Sequence, residues 1–364
     1  MNKSISPEVM EVINAISYLP SVSVIMPFEP KTNLRTALTH KLKIAGDKVE
    51  QQLFENYDHE KASVVINKLR NLLRNLNYDT DKKSIALYVS PVFEKVFYLD
   101  IPAEEKIIID ESFEIRDLVY SKKDFYKYLV LVLSAAWTKI FLVDPKQFIR
   151  VKTEAPDNVN AVWNEVPSKI ANFTDPSSRK EIMLDKFLKY ADEGLGEVLK
   201  TMPFPVFVMG TERTIGHFGK ITRNARHILD YVHGNYEEAT EDEIRIALEP
   251  YINNRKRERQ LAFIAQLDDA KNAGKLVTGV ENIWGEACKK NCRLLVVEKN
   301  FTYAAQKISA EIIVPLSDIG KNGIYIKDVV DDIIEKVLNN GGDVAFVDEG
   351  TMGEYAKIAL IQYY

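Results

Sequence analysis

The chain has 364 residues, of which 46% are hydrophobic and 28% are charged, and its formal net charge is −5. This composition is typical of a soluble globular protein with two or three domains, and the charge gives no whole-protein signature of nucleic-acid binding. No apolar run approaches the ~18 residues needed to span a bilayer, and the N-terminal stretch lacks the apolar core of a secretory signal. With two cysteines, free thiols in a reducing cytosol are the simplest expectation.

The first part of the chain predicts an α/β unit. A short helix through Ile16 precedes the alternating strand SVSVIMP, and two helices follow over Asn33–Glu55 and His59–Asn75. The segment SIALYVSPVFEKVFYLDIP then predicts two strands joined by a tight turn near Ser90–Pro91. We expect this N-terminal α/β domain to cover residues 1–121.

A middle α/β domain is predicted over residues 122–239. A hairpin in FYKYLVLVLSAAWTKIFLVD leads into a loop over residues 152–177, which shows neither an alternating nor a helical apolar pattern and contains three prolines. A loop of this length usually has a functional reason or is disordered. A helix opened by Ser178 and Glu181, the strand PFPVFVMGT and a helix over ITRNARHILDYV, ended by Gly234, complete the domain.

The last α/β domain is predicted over residues 240–364. Thr240 and Glu243 form a capping box that opens a long leading helix to about Asn272, and Pro250 is expected to kink or divide it. The prediction continues with a helix over Val280–Lys290, the strand RLLVVEK, a helix over Val329–Leu338 and two final strands.

Motifs for catalysis, cofactors and metals are missing from the sequence. Gly341-Gly342 follows a helix and predicts a helix C-cap and turn, because no phosphate-binding glycine motif surrounds it. The spacing of His217, His227 and His233 fits no metal motif, and Cys288 and Cys292 lack a second cysteine pair. We therefore predict no catalytic residue, no metal and no cofactor.

Basic residues are the remaining signal. Residues 251–300 carry a balance of +4 and residues 301–364 a balance of −5, so charge is unevenly distributed. Arginine presents a planar donor fork to phosphate oxygens, which makes the basic clusters candidates for RNA contact. The alternative is a solvated helix face. The candidates are Arg223, Arg226, His227, Arg255, Lys256, Arg257 and Arg259.

The order of elements resembles one protein group. The strings SVSVIMPFEP, SIALYVSPVFEKVFYLDIP, YLVLVLSAAWTKIFLVD, EPYINNRKRER and GGDVAFVDEGTMGEYAKIALIQYY are similar to the bacterial branch of the archaeo-eukaryotic release factor and Pelota superfamily, which includes Balon-like ribosome hibernation factors. The resemblance implies three consecutive α/β domains. The first would face the decoding centre and the second the peptidyl-transferase centre. The third would resemble a kink-turn-binding ribosomal-protein fold and contact a translational GTPase such as elongation factor Tu.

The chain departs from the true release factors of that superfamily. Their middle-domain loop carries Gly-Gly-Gln, and their first domain carries Asn-Ile-Lys-Ser, but neither motif occurs here. The resemblance therefore implies a cytoplasmic, non-catalytic, ribosome-binding factor that occupies a tRNA site in hibernation or rescue and binds neither DNA nor membrane. In the loop over residues 152–177, the side chains expected to contact rRNA are Asn158, Trp163, Asn164 and Lys169.

Other interpretations stay open at this point. A hydrolase or nuclease of unknown substrate could use acidic residues distant in sequence, such as Asp175, Asp185 and Glu212, although no spacing supports it. A protein-binding scaffold could use the acidic C-terminal third of the chain. Trp163 could also pack back onto its own domain, as large aromatic residues in loops usually do.

Overall fold

A computed structural model describes residues 6–15, 18–123, 127–144, 147–163, 176–316 and 324–364. It confirms a mixed α/β fold with several sheets. The chain forms two compact units, one made of Met1–Asp124 with Glu258–Tyr364 and one of Phe125–Arg257. The three predicted domains, with boundaries after residues 121 and 239, remain a prediction.

The N-terminal part of the first unit is a four-stranded antiparallel sheet in the order β3-β2-β1-β4. Leu42 and Val49 of one helix and Val65 and Leu69 of the next are buried against this sheet, which explains the helical apolar spacing in the sequence. The elements are α1 (Pro7–Ile13), β1 (Ser21–Pro27), α2 (Arg35–Asn56), α3 (His59–Arg74), β2 (Ser84–Val89), β3 (Glu94–Leu99), β4 (Lys106–Asp110) and α4 (Arg116–Lys123).

The second unit contains a five-stranded sheet in the order β7-β6-β5-β8-β9, in which β5, β8 and β9 are parallel. One face packs against α6 and α7 through Leu188 and Phe218, and the other packs against the start of a long helix through Leu248. The elements are β5 (Tyr128–Leu133), β6 (Thr138–Asp144), β7 (Gln147–Val151), α5 (Asn160–Trp163), α6 (Pro176–Thr201), β8 (Val206–Gly210), α7 (Glu212–Ile221) and β9 (Ile228–His233).

The predicted helix over ITRNARHILDYV is wrong. Helix α7 ends at Ile221, a turn with one 3-10 helix (Ala225–His227) follows, and β9 then pairs in parallel with β8. The hydroxyl of Thr222 and the amide of Asn224 bond a carboxylate instead of continuing the helix. The β-branched residues Ile228 and Val232 suit the strand that follows. Arg223 and His227 therefore do not share a helical face.

The long helix α8 (Glu241–Asn272) is continuous through Pro250, so the proline does not divide it, and the predicted kink there stays a prediction. Its predicted capping box is confirmed. The Glu243 carboxylate accepts hydrogen bonds from the Thr240 backbone nitrogen (2.8 Å) and hydroxyl (2.9 Å), and the Glu243 backbone nitrogen donates to that hydroxyl (3.3 Å). In the described part of the chain, no helix is both long and apolar enough to cross a membrane.

The C-terminal part of the first unit has a four-stranded sheet in the order β10-β16-β11-β15 and a small sheet in the order β13-β12-β14. Strands β11 and β15 are parallel, so their carboxyl ends meet at one edge of the larger sheet. The elements are β10 (Leu276–Thr278), α9 (Val280–Cys288), β11 (Leu294–Glu298), β12 (Ala305–Lys307), β13 (Ile313–Pro315), β14 (Ile324–Ile326), α10 (Val329–Asn339), β15 (Asp343–Val347) and β16 (Ile358–Ile361).

The helix end at Gly341-Gly342 is confirmed as a C-cap and turn. Gly341 has a φ of +78°, which favours glycine, and the Gly342 nitrogen donates to the carbonyl of Val337 at 2.9 Å. A side chain at Gly342 would clash, because its Cβ would lie 2.6 Å from the carbonyl oxygen of Cys292. Cys288 and Cys292 are both free thiols, as predicted.

A buried charged cluster joins the two parts of the first unit. The Asp331 carboxylate accepts the backbone nitrogens of Ile115 (3.1 Å) and Arg116 (2.7 Å), and the Arg116 guanidinium donates to Asp328 and to the carbonyl of Phe301 at 2.6 Å. Burial, followed by the nearby charge of Glu114, raises the pKa of Asp331. This cluster fixes the segment that follows β11.

Candidate nucleic-acid interface

The turn over residues 222–227 is organised by one buried carboxylate. Asp192 on α6 is 5% exposed and accepts hydrogen bonds from the Thr222 hydroxyl (2.6 Å), the Arg223 backbone nitrogen (2.9 Å) and the Asn224 side-chain amide (2.9 Å). The Asn224 amide also donates to the Asp192 carbonyl at 2.9 Å. Burial, with a further contribution from Asp192, raises the pKa of Tyr231 on the adjoining strand. The turn is therefore held rigidly between α7 and β9.

The side chains of this turn present positive charge to solvent. Arg223 and Arg226 are exposed and His227 is half-buried, so the structure brings these three predicted residues together. The Arg226 Nε donates to the His227 Nε2 at 3.1 Å, which fixes the direction of both side chains. Two exposed guanidinium groups on a rigid turn are suited to phosphate contact.

Arg255 is engaged within its own unit. Its guanidinium donates to the carbonyl of Leu229 and lies 3.7 Å from the Asp230 carboxylate, and both residues belong to β9, an edge strand of the sheet. Leu229 is the second residue of the strand into which the basic turn leads, so Arg255 contacts the same end of β9. A guanidinium that already has these protein acceptors has fewer donors available to phosphate.

The other basic residues of α8 differ in exposure. Arg257 and Arg259 are exposed, whereas Lys256 is half-buried. The Arg259 guanidinium lies over the ring of Phe263, 5.2 Å from its centroid, which is a cation–π distance. The predicted cluster over 255–259 is thus not one uniform basic face.

The beginning of the loop over residues 152–177 is anchored to the sheet, contrary to the expectation of a patternless segment. Asn158 forms a β-bridge with Trp137, in which the Thr138 nitrogen donates to the Asp157 carbonyl (3.1 Å) and the Val159 nitrogen donates to the Ala136 carbonyl (2.9 Å). The Asn158 side chain accepts the Asn160 nitrogen at 2.8 Å. These local hydrogen bonds escape a search for alternating or helical apolar patterns.

Packing also anchors the start of this loop. Val162 in the short helix α5 is fully buried. A Cβ on Gly194 of α6 would lie 2.9 Å from the Ala155 side chain, so the loop approaches α6 closely where a glycine makes room. Of the predicted loop contacts, Asn164, Lys169 and the Trp163 side chain lie outside the described residues.

Two polar side-chain pairs join α6 and α7. The His217 Nδ1 lies 2.7 Å from the Asp185 carboxylate, and the Arg213 guanidinium lies 3.5 Å from that of Glu181. The structure thus gives Asp185 a histidine partner, whereas Asp175 lies outside the described residues and Glu212 is an exposed residue in the first turn of α7.

Sequence reasoning missed Asp192, Thr222 and Asn224. The signal available was the Thr-x-Asn spacing of residues 222–224, three residues before β9, a pattern typical of a side-chain-supported turn. Asp192 lies thirty residues before Thr222 in the sequence, and no local pattern connects the two.

Comparison with known families gives one match, over the middle of the chain. The family model of bacterial archaeo-eukaryotic release factor family 3 matches residues 127–291, just under half of the chain. This match confirms the predicted resemblance to the bacterial branch of the release-factor and Pelota superfamily. In the comparison with curated proteins, no sequence matches.

Several solved structures are similar at low identity. A ribosome-bound archaeal Pelota, in a structure that also contains ABCE1, is 12% identical over 100% of this chain and 95% of that chain, with a TM-score of 0.42. Pelota from Archaeoglobus fulgidus is 10% identical over 77% and 79%, with a TM-score of 0.36. S. cerevisiae Dom34, a translation termination-like factor that interacts with Hbs1, is 11% identical over 79% and 75%, with a TM-score of 0.35.

Proposed function

We propose that this chain is a non-catalytic ribosome-binding factor of the release-factor and Pelota type, which occupies a tRNA site in hibernation or rescue. The observation that carries the proposal is the family match over residues 127–291 in a chain that lacks Gly-Gly-Gln. A factor without that tripeptide lacks the element with which release factors catalyse peptide release. Occupying the site is the function that remains.

The basic turn supports binding to RNA. An arginine that contacts phosphate contributes more binding free energy when its backbone is already fixed, because less conformational entropy is lost on binding. The Asp192 carboxylate fixes the backbone of the turn, and Arg223 and Arg226 extend from it. We assign these two arginines the leading role in phosphate contact, with Arg257 and Arg259 as further contacts and Arg255 mainly bound to β9.

The loop over residues 152–177 is the part proposed to reach the peptidyl-transferase centre. Its first residues are bound to the sheet at Asn158 and to the core at Val162. This anchor would hold the base of the loop while Trp163, Asn164 and Lys169 contact rRNA, where an aromatic ring can stack on an unpaired base for ~1–3 kcal/mol. A translational GTPase such as elongation factor Tu is the proposed protein partner, and the cytoplasm the proposed location.

Salt-dependent co-sedimentation with 70S ribosomes tests the proposal. The unaltered chain should bind, and the double variant Arg223→Gln, Arg226→Gln should bind more weakly and with a flatter dependence of log affinity on log salt. Arg213→Gln is the matched control, because Arg213 is also an exposed arginine of this unit but faces Glu181. Absence of binding by the unaltered chain would refute the proposed function, and equal losses in variant and control would refute the role of the turn.

A second candidate function is hydrolysis, favoured by the Asp185–His217 pair. A carboxylate that accepts from Nδ1 leaves Nε2 of a neutral imidazole free to act as a general base. The variant His217→Ala separates the two candidates. It should leave ribosome binding unchanged if the chain is a binding factor, and should abolish any RNA or peptidyl-tRNA hydrolysis if the pair is catalytic.

A further inference from the structure

A cavity of about 610 Å³ lies in the C-terminal part of the first unit, and none of its lining belongs to the basic turn or the loop to which the proposed function assigns rRNA contact. It opens where β11 and β15 end, at the carboxyl edge of two parallel strands. This edge is where open α/β sheets generally bind ligands, and the volume falls within the ~300–1,000 Å³ of small-molecule sites. Its lining includes Glu298, Asn300, Phe301, Glu349 and Lys357.

The charge of the lining favours a cation. Glu298 is 4% exposed and Glu349 is exposed, and among the described residues neither has a Lys, Arg or His nitrogen within ion-pair distance. The Glu298 Oε1 accepts the Met352 nitrogen at 3.2 Å, and the Glu349 Oε1 accepts the Asn300 amide at 2.5 Å. Lys357 is the basic residue of the lining, so the two carboxylates leave a net negative charge.

An aromatic ring completes the arrangement. Phe301 lines the cavity beside the carboxylates, and the Lys357 ammonium lies 5.8 Å from its ring centroid. The face of an aromatic ring attracts cations, and a guanidinium can stack on the ring while its N–H groups donate to carboxylates. A strongly hydrated ammonium gains less from the same combination.

Both walls of the cavity are fixed before any ligand binds. Two hydrogen bonds fix the segment after β11: Arg116 donates to the Phe301 carbonyl (2.6 Å), and the Tyr303 nitrogen donates to Asp328 (3.3 Å). In the segment after β15, Ala356 and Lys357 have φ values of +51° and +68°, in the region that non-glycine residues rarely adopt. Strained backbone of this kind persists where the surrounding structure enforces it, and it is frequent at binding sites.

We propose that this cavity binds a guanidinium group, either of free arginine or of an arginine side chain in a polypeptide. The guanidinium would lie between the carboxylates of Glu298 and Glu349, against the ring of Phe301. Free arginine also carries a carboxylate, which would meet Lys357. A blocked arginine within a polypeptide has no such group, so Lys357 would oppose it.

Calorimetric titration of the full chain tests the site with three probes: methylguanidine, L-arginine and N-acetyl-arginine methylamide. Methylguanidine should bind saturably and more tightly than methylammonium. Glu298→Gln and Glu349→Gln should each weaken it about tenfold, the effect of losing one charge-assisted hydrogen bond. Glu354→Gln is the matched control, because Glu354 lies on the same segment but faces Lys271 at 3.3 Å outside the cavity lining.

The variant Lys357→Gln distinguishes the two sources of the guanidinium. It should strengthen binding of methylguanidine and of the blocked arginine severalfold, and weaken binding of L-arginine if the free amino acid is the ligand. Tighter binding of the blocked probe than of L-arginine by the unaltered chain indicates a polypeptide. Absence of saturable methylguanidine binding overturns the proposal, as does binding that Glu349→Gln leaves unchanged. Because Glu349 is exposed, its variant should fold even if Glu298→Gln does not.

Discussion

Replacing Asp192 with alanine separates the geometry of the basic turn from its charge. The substitution removes no positive charge, and it removes a negative charge near Arg223. A purely electrostatic account of RNA binding therefore predicts tighter ribosome binding by Asp192→Ala. The structure predicts the opposite, because Asp192 holds three donors of the turn at 2.6–2.9 Å and the alanine leaves them without their acceptor.

The size of the effect follows from these contacts. Hydrogen bonds to a charged group contribute ~1.5–3 kcal/mol each, and buried donors left without a partner cost ~1–3 kcal/mol. Arg223 is exposed, so water can replace part of what its backbone nitrogen loses. We expect a loss of about 3 kcal/mol in the free energy of unfolding, which corresponds to roughly 10 °C in the melting temperature of a unit of this size.

The matched control is Asp185→Ala, which removes the same charge from the same helix. Asp185 is 42% exposed in its side chain and pairs with His217, and it makes no contact with residues 222–224 among the described hydrogen bonds. Co-sedimentation at matched salt, below both melting temperatures, should show weaker binding for Asp192→Ala than for Asp185→Ala. If Asp192→Ala binds ribosomes as tightly as the control or more tightly, a fixed turn is not what presents the arginines to RNA.

Three further predictions concern separate parts of the chain. The purified protein should not hydrolyse peptidyl-tRNA on stop-programmed ribosomes, because it lacks Gly-Gly-Gln, and release above background would contradict the non-catalytic function. Arg257→Gln should reduce the slope of log ribosome affinity against log salt by up to ~0.9 if Arg257 contacts one phosphate. Arg255→Met should chiefly lower stability, since the Arg255 guanidinium donates to β9. Equal slopes for the two variants would contradict these different roles. Burial, followed by the charges of Glu335 and Asp110, raises the pKa of Asp332 to about 7, so the native state binds its proton more tightly than the unfolded state and loses stability as pH rises from about 4 to 7. The loss is at most about 4 kcal/mol. In denaturant unfolding, Asp332→Asn should be more stable than the unaltered chain at pH 8 and equally stable near pH 4. A difference in the free energy of unfolding that stays constant over this pH range would refute the titration of Asp332.

Apolar periodicity predicted most of the regular elements. Helices α2 and α3 lie within a few residues of their predicted bounds, because their apolar spacing reflects burial of one face against one sheet. The capping box at Thr240 and the glycine after α10 were likewise predicted from local sequence, since each depends on residues within five positions of one another. Local sequence patterns were sufficient to predict a feature where the interaction that stabilises it joins residues close together in the sequence.

The errors arose where a distant residue decides the local structure. ITRNARHILDYV has helix-compatible spacing, but Asp192 draws Thr222 and Asn224 out of the helix and β8 offers a parallel neighbour to Ile228–His233. The loop after β7 appeared patternless, because its start is anchored by an isolated bridge between Asn158 and Trp137 and by the burial of the single residue Val162. Pro250 predicted a kink or a division of α8, but the helix continues through it undivided, with Leu248 buried in the core just before the proline.

The buried position of Asp192 bears on how a binding factor without catalytic chemistry can be specific. A charge that is 5% exposed is costly to bury unless it is fully hydrogen-bonded, and the carboxylate meets that requirement only when the turn has its observed shape. The same bonds that make its burial tolerable therefore exclude other conformations of residues 222–224. Two exposed arginines on a flexible segment would contact many arrangements of phosphate with similar affinity. When the Asp192 carboxylate fixes the turn, the two arginines fit only a few arrangements of phosphate. The loss of binding in Asp192→Ala should therefore be greater for the ribosome than for an unstructured RNA of equal charge.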